Sequence, residues 1–430
     1  MIVCFDLRAL QIGHQNRGIG MYIKSVLENL PPDNNKYLFY IFDKTDPIKE
    51  MGIKLQIDYE LVATPTIKTS LNSPKDIVGL LRLITHRFKP LKSYRPDVFL
   101  QFDFTLGTPR WKDIRTIVIG YDLIPLIMKN DYLPSLSFAI KHAAPHRPIR
   151  PKSIVRSVIF RVRNRSFKFN RNFYAKQKLH SAVRSIYYRA KYSLHYKTYK
   201  RADNIISISE ATSNDFIRLL NIRSDRITTI PLAPVLPTDK PDLGLAKKIK
   251  YPYIFYIGGT DNRKRIQDIV YAFNIVRGRG ANLKLILAGN EFREVESIPS
   301  IDGRNAIINS PYKKDIELVG FITDAQKLGL YKKAHSFIFC TVHEGFGLPI
   351  IEAMSASCPV ISYNNSSIPE AAGTAAILVE TGDYVAIADS ILELFDEKMR
   401  NRIIASGLIQ ARKFSWDNYI HTFLSVINKN

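Results

Sequence analysis

His343-Glu344-Gly345-Phe346-Gly347-Leu348-Pro349-Ile350-Ile351-Glu352 lies between an apolar run, Phe337 to Val342, and a helix-patterned run, Ile350 to Ser357. The first reads as a short buried strand and the second as a helix. Pro349 sits where the first helical residue is expected, since its missing N–H is not needed there. Two glycines before a helix N-terminus let backbone approach a ligand and leave N–H groups pointing at it. Glu344 in the loop and Glu352 in the expected first helical turn bracket the stretch. It reads as an anion-cradling turn flanked by two hydrogen-bond acceptors. The alternative is a strand-turn-helix in which a Glu merely favours the helix dipole.

Working outward, the second half alternates strand and helix. Tyr253 to Ile257 is an expected strand that ends in Gly258-Gly259-Thr260-Asp261-Asn262-Arg263-Lys264-Arg265. Further strands are expected over Leu283–Ala288, Ile316–Phe321, Val360–Tyr363 and Ile377–Glu380. Helices are expected over Ile266–Val276 and Val385–Phe395, with a last amphipathic helix after Trp416 reaching about Ile427. Arg263 and Lys264 follow a glycine turn at a strand's C-terminal edge, where they can hold a diphosphate. Cations together with helix N-terminal amides can stabilise a departing diphosphate without metal. The chain has no Asp-x-Asp pair and no Gly-x4-Gly-Lys-Ser/Thr loop. The former weighs against a metal-chelated diphosphate, the latter against an ATPase.

The first half has the same texture. Ile2 to Phe5 starts a strand closed by Asp6, and Asn16-Arg17-Gly18-Ile19-Gly20 opens a helix through Leu30. The Gly18 and Gly20 pair resembles half of a dinucleotide fingerprint, or is a turn that permits tight packing. Strands are expected over Tyr37–Phe42, Tyr59–Val62, Asp97–Phe102 and Ile114–Gly120, and a helix over Ile77–Phe88. Tyr121 and Asp122 fall at a strand's C-terminal edge, where ligands sit in open α/β sheets; Asp122 can instead cap the next turn. Asn204–Ser209 is another strand, after which Ser209 caps a helix, and Arg226–Ile230 one more. Prolines at 231, 234, 237, 241 and 252 mark an interdomain linker. Repeated βαβ alternation predicts two parallel-sheet domains.

The chain's 62 basic and 39 acidic residues leave a net charge of +23, unevenly placed. Lys141 to Arg201 carries 18 Lys and Arg with no Asp or Glu, so one segment holds most of the excess. Its apolar residues recur at helical spacing amid Tyr and Phe, which suits an anionic membrane surface. At roughly 1 kcal/mol per basic residue near anionic lipid, half of them would give firm attachment. The same composition can track a nucleic-acid backbone, or form a solvated insertion with no specific partner. No apolar run nears the ~18 residues of a membrane span, and the N-terminus reads as a first strand, not a signal peptide. Three scattered cysteines give no disulfide framework or metal-ligand spacing, which points to a reducing cytosol.

Glu344 to Glu352 resembles the Glu-x7-Glu signature of the retaining glycosyltransferases of family 4. Matching stretches follow in the same order: Arg17-Gly18-Ile19-Gly20, Asp122-Leu123-Ile124-Pro125, Ile206-Ser207-Ile208-Ser209-Glu210, Gly258 to Lys264, Val319-Gly320-Phe321 and Pro359-Val360-Ile361. The resemblance implies the GT-B fold: two Rossmann-like doubly wound α/β domains facing across a cleft. An acceptor domain would take residues 1–235, with a basic helical insertion at about 141–201. A donor domain would take 236–410, and 411–430 would form a helix crossing back. By the same resemblance, Gly18 and Gly20 would approach the donor phosphate, while Gly259 belongs to the second glycine turn. Arg263 and Lys264 would neutralise the leaving diphosphate. Glu344 and the amides of Phe346, Gly347 and Leu348 would bind sugar and phosphates. Glu352 would accept from the ribose hydroxyls and Phe321 would lie beside the base. The acceptor would enter near Asp122. Tyr121 stands where many relatives have His, and Arg265 where they often have Asn.

The function so implied is a hexosyltransferase that works with retention and without metal or resident cofactor. Its nucleotide-diphosphate sugar co-substrate has GDP-mannose as a candidate, and its acceptor would be a lipid-linked oligosaccharide. The expected setting is bacterial surface polysaccharide assembly, O-antigen or capsule, in the cytoplasm and peripheral on the inner membrane face. Two alternatives stand beside it. One is a nucleic-acid-binding protein using 141–201, although nucleic acid is the less favoured partner; the other is an inactive glycan-binding companion of another transferase.

Overall fold

The computed structural model describes residues 1–12, 18–42, 45–64, 88–132, 189, 192–193, 195–235 and 240–429. Residues 77–87 of the helix expected over Ile77–Phe88, Asn16 and Arg17, and all of 141–188 in the basic segment lie outside them. The chain forms two compact units. One holds Met1–Ile206, Ile217–Thr228 and Ile427–Asn430; the other holds Ser207–Phe216 and Thr229–Val426.

The first unit's sheet has seven strands: β1 (Ile2–Asp6), β2 (Lys36–Ile41), β3 (Tyr59–Ala63), β4 (Val98–Gln101), β5 (Arg115–Gly120), β6 (Asn204–Ser207) and β7 (Ile227–Thr229). Their order is β3-β2-β1-β4-β5-β6-β7. The pairs β1–β2, β1–β4, β2–β3 and β4–β5 are parallel. Such strands are covered on both faces, hence unbroken apolar runs rather than alternation; Val98–Gln101 is buried throughout. Asp6 does more than close β1. It takes two 2.7 Å hydrogen bonds from the buried Arg8 guanidinium, which lies 4.9 Å from the Tyr40 ring centroid and 5.2 Å from that of Phe88. Pairing and aromatic faces together make a buried cation tolerable here. The Arg115 guanidinium donates to the carbonyls of Ile427 and Lys429, fastening the chain's last residues to this unit.

In the second unit, all adjacent strands are parallel: β8 (Tyr253–Ile257), β9 (Lys284–Ala288), β10 (Ile316–Gly320), β11 (Ser336–Phe339), β12 (Val360–Tyr363) and β13 (Ile377–Val379). The order β10-β9-β8-β11-β12-β13 reverses direction between β8 and β11. This is the switch point of a doubly wound sheet, outside whose strand ends ligands settle. Its core gathers Ile254, Ile269, Phe273, Leu285 and Ile338, all fully buried. Helices start where side chains satisfy the first N–H groups. Thr323 and Gln326 form a capping box at Asp324–Lys333, and Asp383 and Asp396 cap Tyr384–Glu393 and Glu397–Ala411.

Two boundaries beside the Glu344 loop move from their expected places. β11 stops at Phe339 instead of running to Val342, because the Val342 N–H leaves the ladder and donates to the Arg263 carbonyl at 2.9 Å. The following helix begins at Leu348, so Pro349 is its second residue and Glu352 falls in its second turn. The ends of β8 and β9 meet so closely that a Cβ on Gly289, at φ +143°, would lie 2.2 Å from the Gly258 carbonyl oxygen. Gly289→Ala should therefore cost more than about 2 kcal/mol. A fall in thermal midpoint would show it; an unchanged midpoint would contradict this packing.

Candidate active site

Two loops flank the β8/β11 switch point. The first, after β8, is shaped by its own polar groups. Tyr256 Oη donates to the Gly259 carbonyl at 2.6 Å, and the Thr260 N–H donates to Glu291 at 2.9 Å. A single 3-10 turn, Asn262–Lys264, then presents both cations and is closed by Arg265 at φ 49°. That left-handed position is one that non-glycine residues adopt rarely, Asn and Asp most readily. Arg265, itself partly exposed, pairs there with the buried Asp268 at 2.8 and 3.1 Å.

The second loop, after β11, brings Glu344 to those cations. Arg263 and Lys264 both donate to Glu344 Oε1, and Thr341 Oγ1 adds a third bond at 3.1 Å. Arg263 also reaches the His343 carbonyl at 3.1 Å and the Asp261 carboxylate at 3.3 Å. Lys264, only 8% exposed, lies 4.6 Å from the Phe339 ring centroid. Burial by itself would raise the Glu344 carboxyl, but the charges and hydrogen bonds of Lys264 and Arg263 outweigh it and bring the group down to about 2. Burial and the neighbouring Arg263 push Lys264 below its ordinary value, against the pull of Glu344. Glu344 is thus a carboxylate at neutral pH, built to hold two cations rather than to give a proton.

The turn itself depends on Gly347. It caps the helix Leu348–Ser355 at φ +99°, and a Cβ there would lie 3.2 Å from Ile368 Cδ1. Phe346 is buried with its ring edge-on to Phe414, centroids 5.5 Å apart. Among the described residues none accepts from the N–H groups of Gly345, Phe346, Gly347 or Leu348. Four consecutive donors at a helix start are the kind of arrangement that can receive an anion.

Glu352 has a different partner. Its Oε1 accepts from Lys327 at 3.0 Å, and Lys327 also meets Asp324 at 3.0 Å. Burial pushes Glu352 up, and Lys327 pulls against it. Lys327, which the sequence reading did not single out, sits 25 residues away on another helix. Phe321 stands 64% exposed just beyond β10. That is three strand positions from β11, roughly 14 Å at sheet spacing.

Gly18, Gly20, Tyr121 and Asp122 belong to the first unit. Gly18 and Gly20 open the helix Gly18–Glu28, and a Cβ on Gly18 would meet nothing within 4 Å. The Tyr121 ring stands edge-on to Tyr22, centroids 5.7 Å apart. Asp122 Oδ1 accepts from the Ile124 N–H at 3.0 Å, so it does cap the following turn. Among the described residues no three His, Cys, Asp or Glu gather as metal ligands.

Because Glu344's folded-state value, about 2, lies below its ordinary 4.5, its stabilisation is complete above the ordinary value and is lost as pH falls towards 2. Glu344→Gln should remove this component. The stability difference between wild type and variant, followed by denaturant unfolding from about pH 5 to 2, should shrink as pH falls. A constant difference would refute the depressed carboxylate.

Residues 251–397 match the family described as Glycosyl transferases group 1. The chain is 33% identical over 235 residues to O-antigen chain mannosyltransferase B of Escherichia coli; the match takes in 53% of this chain and 60% of that protein. In fold it resembles sucrose-phosphate synthase from Thermosynechococcus elongatus, with TM-score 0.64 and 15% identity over 100% of this chain and 98% of the other. It also resembles Anabaena HepE, solved in complex with UDP and glucose, at TM-score 0.61 and 13% identity over 100% and 99% of the two chains. The likeness to the group 1 glycosyl transferases is carried by residues 251–397, and the two parallel-sheet units have the α/β fold seen in GT-B structures.

Proposed function

We propose that the protein is a retaining hexosyltransferase that moves a sugar from a nucleotide-diphosphate donor onto a lipid-linked glycan in bacterial surface polysaccharide assembly. The observation that carries this is the meeting of Arg263 and Lys264 on Glu344 beside the amides of residues 345–348. Both cations converge on one oxygen of Glu344 beside an arc of N–H donors, while Arg263 also meets the half-exposed Asp261. A departing diphosphate gathers negative charge as the bond to the sugar breaks, so such groups act most strongly in the transition state. In this reading the bond from C1 to the phosphate oxygen breaks while the acceptor oxygen attacks from the same face. The acceptor's proton passes to the leaving phosphate. No protein nucleophile is required, and neither metal nor resident cofactor is assigned a step.

Glu344 orients the cations and faces the sugar, Glu352 takes the ribose hydroxyls, and Phe321 lies by the base. Gly18, Gly20, Gly259, Tyr121 and Asp122 keep the donor and acceptor roles that the resemblance implies. The similarity to a mannosyltransferase supports mannose, from GDP-mannose, as the donor sugar. The basic segment at 141–201 would hold the enzyme at an anionic cytoplasmic membrane surface; no described helix is long and apolar enough to cross a membrane.

Glu344→Gln and Lys264→Met should each lower transfer from the cognate donor by about 10²-fold or more, measured as labelled sugar reaching a lipid-linked acceptor. Full activity in both would overturn the assignment. The full chain should also sediment with phosphatidylglycerol vesicles, and less so as salt rises. Equal binding to neutral phosphatidylcholine vesicles, or salt-sensitive retention on nucleic acid alone, would remove the membrane role.

A further inference from the structure

The motif Ile206-Ser207-Ile208-Ser209-Glu210 has so far no part in the chemistry. Ser209 caps the helix Glu210–Leu220 by accepting from the Thr212 N–H at 3.0 Å. The same buried hydroxyl donates to the Gly345 carbonyl at 2.6 Å, and Thr212 Oγ1 donates to that carbonyl at 3.1 Å. A carbonyl oxygen has two lone pairs, and here two hydroxyls occupy them. The helix start is fastened in turn. Both oxygens of Glu370 accept from it at 2.7 Å, one from Glu210 N–H and the other from Ala211 N–H. Just before Glu370, Ser366 accepts from the Glu344 N–H at 3.0 Å and Ser367 donates to the Glu344 carbonyl at 3.1 Å.

We propose that Ser209 and Thr212 are positioning residues for the donor's diphosphate, holding the Gly345 carbonyl and so aiming the Phe346 N–H; this rests on the reading of the site given above. In a planar trans peptide, C=O and N–H point in opposite directions. Two bonds on the Gly345 oxygen therefore fix the direction of the Phe346 N–H on the far side of the same plane. Glycine at 345 would otherwise let that plane turn freely, and a misdirected amide loses most of its hydrogen bond. Neither hydroxyl touches the ligand in this scheme. Their effect is specific all the same, because it reaches the phosphates and not the nucleoside.

The experiment compares GDP, UDP and ADP with their nucleosides by calorimetry on the full chain. Thr212→Val keeps shape and helix while removing one hydroxyl, and Ser209→Ala removes the other. The double variant should bind the cognate nucleoside diphosphate about ten-fold more weakly, with nucleoside affinity unchanged within about two-fold, and Ser209→Thr should restore binding. Equal losses for diphosphate and nucleoside would mean general damage and overturn the proposal, as would no loss at all. Thr212→Val, which leaves the cap intact, decides the matter if the double variant does not fold: it should show the same selectivity at smaller size. A wild-type chain that binds none of the three diphosphates would instead overturn the donor-site reading, and this proposal with it.

Discussion

Two cations and one carboxylate, largely withdrawn from solvent, meet where the second sheet reverses its strand order. Buried charges are tolerated only when geometry and hydrogen bonds offset their lost hydration. Here Glu344 Oε1 takes Arg263, Lys264 and Thr341 together, and Lys264 also lies against Phe339. The loops after β8 and β11 must each hold one shape for this to persist. Tyr256, Glu291 and the bond from Val342 to Arg263 fix the first; Ser366, Ser367, Ser209 and Thr212 fix the second.

Glu344 and Glu352 look alike in the sequence but occupy opposite electrostatic settings. The first is drawn down by two adjacent cations. The second is pushed up by burial, with Lys327 and a hydrogen bond from Tyr331 opposing. On the proposed function this suits their work: a permanent anion orders the cations, while a lightly countered carboxylate accepts from ribose hydroxyls. Catalysis would then come from groups held in place before the donor arrives, which adds no reorganisation when the bond breaks.

Local chemistry was legible where it depends on neighbours in the chain. Pro349 and Gly347 announced a helix start, Ser209 announced a cap, and unbroken apolar runs announced buried parallel strands. Asp122 showed both of its readings, and its bond to Ile124 bears out the capping one. What stayed hidden involves distant partners. Lys327 looked like one of many helix lysines until folding set it on Glu352. Glu370 gave no sign that it would hold a helix start 160 residues earlier.

The order of apolar runs, the glycine turns and the motif residues by themselves determined a doubly alternating α/β chain and the stretch at its chemical centre. Those features follow from backbone sterics and from hydrophobic periodicity, both of which act over a few residues. The tertiary structure alone decided which charges meet. Arg263 and Lys264 reach Glu344 across about 80 residues of chain because β8 and β11 are neighbours at the sheet's reversal. Strand order is settled by packing of the whole sheet, and no local preference encodes it.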